Sequence, residues 1–181
     1  MPGYSKGKSL CSSLRMGTNK LRIEQGRYLN EDENERLCRC CNRGAVENEL
    51  HFVAQCNCYD IERHAFKIMF RKVLEETECS ECLAQYLCAA DDDQGWMRIA
   101  LGDFSFLPLE YRVGGIANDY IFELHKIQLE YLLTIDRARD KRMDSLGLTS
   151  VGKPYEKEVV SLVETTDDED KIGYSGSTRY K

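Results

Sequence analysis

Residues 36–59 read RLCRCCNRGAVENELHFVAQCNCY, and the fold turns on how this stretch is interpreted. Cys38-x2-Cys41 is followed, nine residues on, by His51-x4-Cys56. Zn²⁺ prefers four tetrahedral sulfur or nitrogen ligands, and two residues between thiolates let both close on one ion from a tight turn. The spacing predicts one structural zinc ion held by Cys38, Cys41, His51 and Cys56, with no coordination place left for a reacting water. Three thiolates and a neutral imidazole leave such a centre net negative, and Arg39 and Arg43 are candidate compensating charges. Cys40 and Cys58 are spares, although Cys58 offers an alternative to Cys56. A segment of about 20 residues cannot fold on apolar burial alone, whereas structural zinc contributes about 10–16 kcal/mol in finger-sized peptides.

The rest of the chain sets the frame for this knuckle. With 181 residues, 42% of them hydrophobic, there is room for one modest core and its appendages. Nothing resembling a signal peptide opens the sequence, and no run approaches the roughly 18–20 apolar residues of a membrane span. We therefore expect an intracellular protein, nuclear or cytoplasmic, with no membrane association. In a reducing compartment nine cysteines point to thiols and metal ligands rather than disulfides. The net charge of −6 argues against a surface built throughout to neutralise phosphate. Residues 1–29 are the exception, carrying Lys6, Lys8, Arg15, Lys20, Arg22 and Arg27 against Glu24 alone.

Outward from the knuckle, residues 1–11 are rich in Gly, Ser and Lys and are expected to be a flexible lead-in. Residues 14–28 suit a short helix or an extended basic segment. Asp60 is a candidate cap for a helix running to about Glu76, apolar nearly all round at its centre. A second short helix is expected over 79–90, then an acidic loop from Asp91 to Gly95. The short apolar runs 96–101 and 104–109 suit strand, turn or brief helix alike. Ile116, Tyr120, Leu124, Ile127, Tyr131 and Ile135 recur at steps of three and four, which predicts a long amphipathic helix. Arg137, Arg139, Lys141 and Arg142 near its end suit the helix dipole. Beyond about residue 143 the pattern dissolves into Gly, Ser, Thr and charge, as in a disordered acidic tail. Cys79, Cys82 and Cys88, with His64, invite a second metal site, but cysteines three apart on a helix share a face and burial explains them better. His125 is expected at a surface or boundary of the long helix.

The residues from 14 to 59 also carry a resemblance. LRMGTNKL at 14–21, Glu24-x-Gly26-Arg27-Tyr28, ERLC at 35–38, VENELHF at 46–52 and Cys56-x2-Tyr59 resemble the zinc-binding C-terminal region of non-LTR retrotransposon reverse transcriptases. The likeness spans about residues 12–63. It departs from the family at Asn48, where an acidic residue is usual, and at Asn57, where proline is frequent. The resemblance implies an accessory module that grips RNA or DNA, with contacts on Lys20, Arg22, Arg27, Arg39 and Arg43. The polymerase's catalytic carboxylate signature is absent, so no enzyme is expected.

The expected architecture is mostly α: a lead-in over 1–11, a zinc module over 12–63, a helical region over 64–143 and a disordered tail over 144–181. The expected function is non-catalytic nucleic-acid binding. The alternative is a zinc-stabilised protein-interaction adaptor that presents the 116–135 helix to a partner.

Overall fold

The computed structural model of the chain describes residues 2–77, 79–109 and 117–148. It is mostly helical, and no strand occurs among the described residues. In order come α1 (Pro2–Met16), α2 (Arg22–Tyr28), a 3-10 turn at Glu33–Glu35, the cysteine knuckle, a π-helical turn at His51–Gln55, a 3-10 turn at Asn57–Tyr59, then α3 (Asp60–Glu76), α4 (Ser80–Asp91), α5 (Asp93–Ala100) and α6 (Ala117–Ser145). No helix among the described residues is long and apolar enough to cross a membrane.

The long periodic segment forms α6, and its stripe of Leu124, Ile127, Tyr131 and Ile135 is buried. Leu129, Leu132, Leu133 and Met143 are buried as well, because α6 is flanked by α1 and α3 and touched by α5. Its apolar face is consumed inside the fold, which corrects the expectation that the 116–135 helix presents it to a protein partner.

Aromatic rings fill the space between α6 and α3–α5. Trp96 lies edge-on to Tyr131 with centroids 5.4 Å apart and to Phe70 at 5.9 Å, while Phe70 stacks on Tyr86 at 6.1 Å. On α3 the buried residues Phe66, Phe70 and Leu74 are spaced by four, one helical turn each. Ile61, Ile68 and Met69 point away and are exposed, so only part of that nearly all-round apolar helix is covered.

The first helix corrects the lead-in reading. Residues 2–16 are helical and pack on α6, with Cys11 and Leu14 buried. A Cβ on Gly7 would sit 2.9 Å from that of Leu129, so glycine permits the close approach. α1 ends with Gly17 at φ 61° and Thr18 N–H donating to Ser13 O at 3.0 Å; α6 ends likewise, with Gly147 at φ 68° and Leu148 N–H donating to Met143 O at 2.9 Å. These left-handed caps satisfy carbonyls that a helix end would otherwise strand.

The acidic stretch 91–95 is a helix junction rather than a loop. Asp91 ends α4, and Asp92 caps α5 by accepting Gly95 N–H at 2.8 Å. A Cβ on Gly95 would fall 1.8 Å from Ala89 O, an impossible separation. Gly95→Ala is therefore expected to force the junction apart and to cost about 1–3 kcal/mol as an overpacking change, measured by urea unfolding; an unchanged midpoint would contradict it. The expected tail lies outside the described residues from 149 on, as does Ile116 of the apolar stripe.

Nor do residues 12–63 and 64–143 behave as separate units. The buried residues form one cluster that runs from Cys11 through the knuckle to Met143.

Candidate metal centre

The knuckle begins as a narrow hairpin. Leu37 and Val46 form an isolated antiparallel bridge, Cys38 N–H donates to Ala45 O at 2.8 Å and Glu47 N–H to Arg36 O at 2.9 Å. These bonds pin both ends of a loop that carries Cys38 at its base and Cys41 near its tip. Asn48 then nucleates the next turn, its side-chain oxygen accepting His51 N–H at 2.8 Å and its carbonyl accepting Phe52 N–H at 2.9 Å. The Asn48 side chain here does the work of a cap.

The turn that follows closes from Cys56 N–H to His51 O at 2.7 Å, five residues apart. In an α-helix residues five apart diverge around the axis, whereas a π turn is wound more widely and brings them to nearly the same side. The x4 spacing of His51 and Cys56 thus acquires a structural cause.

Sγ of Cys38, Cys41 and Cys56 and a ring nitrogen of His51 all lie within 4.8 Å of one another, and all four residues are buried. Cys38 Sγ is 4.0 Å from Cys56 Sγ, and Cys41 Sγ is 3.4 Å from His51 Nε2. These four side chains can hold a metal ion. Cys58, the alternative to Cys56, is turned aside, its thiol donating to Cys40 O at 2.8 Å. Cys40 itself is buried and forms a second close group with Cys38 and Glu47.

Crowding sets the protonation of the centre. A hydrogen bond from Cys40 favours the Cys38 thiolate, but Cys56 and burial outweigh it and push the Cys38 thiol up to about 12. Burial lowers the His51 pKa, which keeps the imidazole neutral and its lone pair available. The Cys38 thiol therefore remains protonated until a cation draws off its proton.

Arg63, Arg43 and Arg39 surround the knuckle. Arg63 Nη2 donates to Cys56 O at 2.8 Å and Arg63 also pairs with Asp60, tying the last candidate ligand to α3. Arg43 is exposed and reaches Gln55 O at 3.4 Å, while Arg39 is exposed on the loop.

The other basic residues expected to contact nucleic acid, Lys20, Arg22 and Arg27, are engaged within the fold. Lys20 bridges Asp140 at 2.7 Å and Asp136 at 3.0 Å. Arg22 is buried and paired with Glu31, so its expected role at a nucleic-acid surface gives way to a structural one. Arg27 is exposed but sits 3.2 Å from Glu24. The five residues therefore do not form one surface: Arg39 and Arg43 remain open on the knuckle, and Lys20, Arg22 and Arg27 serve carboxylates.

Sequence reasoning missed the support beneath the knuckle. Arg139, expected only to suit the dipole of a helix end, is wholly buried and grips Glu47 with two bonds, Nε to Oε1 at 2.9 Å and Nη2 to Oε2 at 3.0 Å. Glu47 also accepts Arg22 N–H at 2.9 Å, and Arg139 donates to Lys20 O at 3.2 Å. A charged residue at a step of four from Ile135 was the available signal, since it continues the buried stripe of α6.

The second cysteine group follows the burial reading only at Cys82; Cys79 is half-buried and caps α4 from outside it rather than sharing a helix face. Cys82 is buried, Cys79 Sγ accepts Cys82 N–H at 3.1 Å at the start of α4, and Cys88 and His64 are exposed. Among the described residues no metal-compatible group includes them. His125 is half-buried against Phe104, with ring centroids 4.6 Å apart, in keeping with a boundary position.

No family model, curated protein or solved structure matches this chain.

Proposed function

We propose that this chain is a non-catalytic module in which one structural zinc ion, bound by Cys38, Cys41, His51 and Cys56, locks a helical scaffold that contacts nucleic acid. The observation that carries the zinc assignment is the convergence of four buried donors. For Zn–S near 2.3 Å and Zn–N near 2.0 Å, a tetrahedron has edges of about 3.8 Å between sulfurs and about 3.5 Å between sulfur and nitrogen. The separations of 4.0 and 3.4 Å fall close to both. A three-sulfur, one-nitrogen set suits zinc among the common divalent ions, and a full protein shell marks a structural role.

The nucleic-acid half is supported by the resemblance to the C-terminal region of retrotransposon reverse transcriptases and by the open Arg39 and Arg43 on the knuckle. A rival reading, the protein-interaction adaptor, draws on the internal pairing of Lys20, Arg22 and Arg27 and on the exposed Ile61, Ile68 and Met69 of α3.

Elemental analysis of protein purified without an affinity metal is expected to give about one zinc per chain, lost in Cys38→Ser and His51→Ala. Absence of zinc under reducing conditions would remove the first half of the reading. Single-stranded RNA and DNA are expected to bind at low ionic strength and to be released by salt. A chain that binds neither, but self-associates or captures a defined protein through α3, would select the adaptor.

A further inference from the structure

Between Pro2 and Met16 α1 has no acidic residue, and its Lys6, Lys8 and Arg15 are exposed. Where α1 lies against α6, Lys8 and Arg15 share a cleft of about 300 Å³ with His125, lined also by Tyr4, Ser12 and Gln128. None of the described residues lining it is acidic. Among the described residues no carboxylate forms an ion pair with Lys8 or Arg15, in contrast to Lys20, Arg22 and Arg27. In a chain of net charge −6, such a cleft is a local positive site.

The cations there are held in place. Lys8 Nζ sits 4.3 Å from the centre of the Tyr4 ring. Arg15 donates to Leu101 O, which uses only part of its donor fork. Burial lowers the pKa of His125, a bond to Gln128 opposes this, and Arg15 and Lys8 deepen the depression. The three side chains therefore sense one another's field, and an incoming anion relieves that repulsion.

An aromatic pair stands at the edge of the cleft. The rings of Tyr4 and Phe122 are 6.2 Å apart, and Phe122 is 54% exposed. Lys126 stands 5.8 Å from the Phe122 ring, its charge matched by Glu123 at 2.7 Å. Cations that track a phosphate chain beside exposed rings that stack bases are the two components of single-strand binding, and stacking needs bases that are not already paired.

We propose that the α1–α6 cleft binds a single strand of nucleic acid, with phosphates held by Lys8, Arg15 and Ser12 and a base stacked on the Tyr4–Phe122 pair. The class of partner rests on the nucleic-acid reading above, but the surface is distinct from the knuckle arginines. The cleft supplies the anchoring contact, and Arg39 and Arg43 contribute less.

The test is anisotropy of a labelled uridine oligonucleotide of about 12 nucleotides, titrated with the full chain at about 50 and 200 mM salt. Lys8→Glu/Ser12→Glu is expected to weaken binding by about tenfold or more and Tyr4→Ala by about tenfold, while Arg39→Glu/Arg43→Glu has a smaller effect. The salt slope of log affinity should fall by about 0.7 for each phosphate contact removed. Should the double variant lose zinc or melt early, Lys8→Ala, which deletes one exposed amine, is expected to weaken binding about threefold and to lower the salt slope likewise. Wild-type affinity retained in the cleft variants but abolished in the knuckle variant would overturn the cleft and leave the nucleic-acid reading standing. No oligonucleotide binding by the wild type at either salt would overturn both, as would affinity confined to phosphatidylserine vesicles.

Discussion

Stripping zinc with a strong chelator is expected to shift the fluorescence of Trp96 to the red and to melt the knuckle. Trp96 is the sole tryptophan and is completely buried. It lies 3.4 Å from Tyr131 through its indole N–H, and the Tyr131 hydroxyl in turn donates to Val53 O in the turn between His51 and Cys56. The indole thus reports on the backbone that carries two of the proposed ligands. The size of the effect follows from comparison: about 10–16 kcal/mol of metal binding, as found in finger-sized peptides, equals or exceeds the roughly 5–15 kcal/mol by which whole domains are stable. His51→Ala should reproduce the chelated spectrum without chelator. Identical emission and melting with and without chelator would show that the four side chains are packed core residues and nothing more.

Arg139→Met is expected to be the most damaging substitution outside the proposed ligands. It strands the Glu47 carboxylate, which is 1% exposed, and breaking one partner of a buried pair costs about 3–5 kcal/mol. Replacing both, as Glu47→Leu with Arg139→Met, should recover much of that loss, since apolar groups of similar volume need no counter-charge. Recovery stays incomplete because the Arg22 N–H loses its acceptor, a deficit of about 1–3 kcal/mol for a buried donor. Urea unfolding of the two singles and the double completes the cycle. Additive losses would mean that the pair contributes no coupling, and the account of Arg139 as the knuckle's support would fail.

The parts of this fold legible in the sequence are those encoded in local spacing. Cys38-x2-Cys41 and His51-x4-Cys56 announced a set of four donors, and they converge. The apolar stripe of α6 and the period of α3 likewise state their own geometry, because an amphipathic helix must repeat every three or four residues, whereas the expected Asp60 cap does not form: Asp60 is the first residue of α3 and its carboxylate pairs with Arg63 instead. What stayed hidden depends on partners remote in the chain. α1 has glycine and four serines in its fifteen residues, a poor helix by propensity, and it is helical because α6 offers it a surface. The acidic Asp91–Asp93 run looked like a solvated loop since nothing local distinguishes a junction cap from a turn. Glu47 and Arg139 are 92 positions apart, and no spacing rule links them.

That separation has a bearing on how the protein is made. A ribosome releases the knuckle long before it releases Arg139, and until α6 arrives the carboxylate of Glu47 has no cation to accompany it into the interior. α1 waits for the same helix, since the surface it packs on lies at Leu129 and its neighbours. α1 and α6 thus close over the middle of the chain together. Until α6 emerges, neither Glu47 nor α1 has the partner it packs against in the fold.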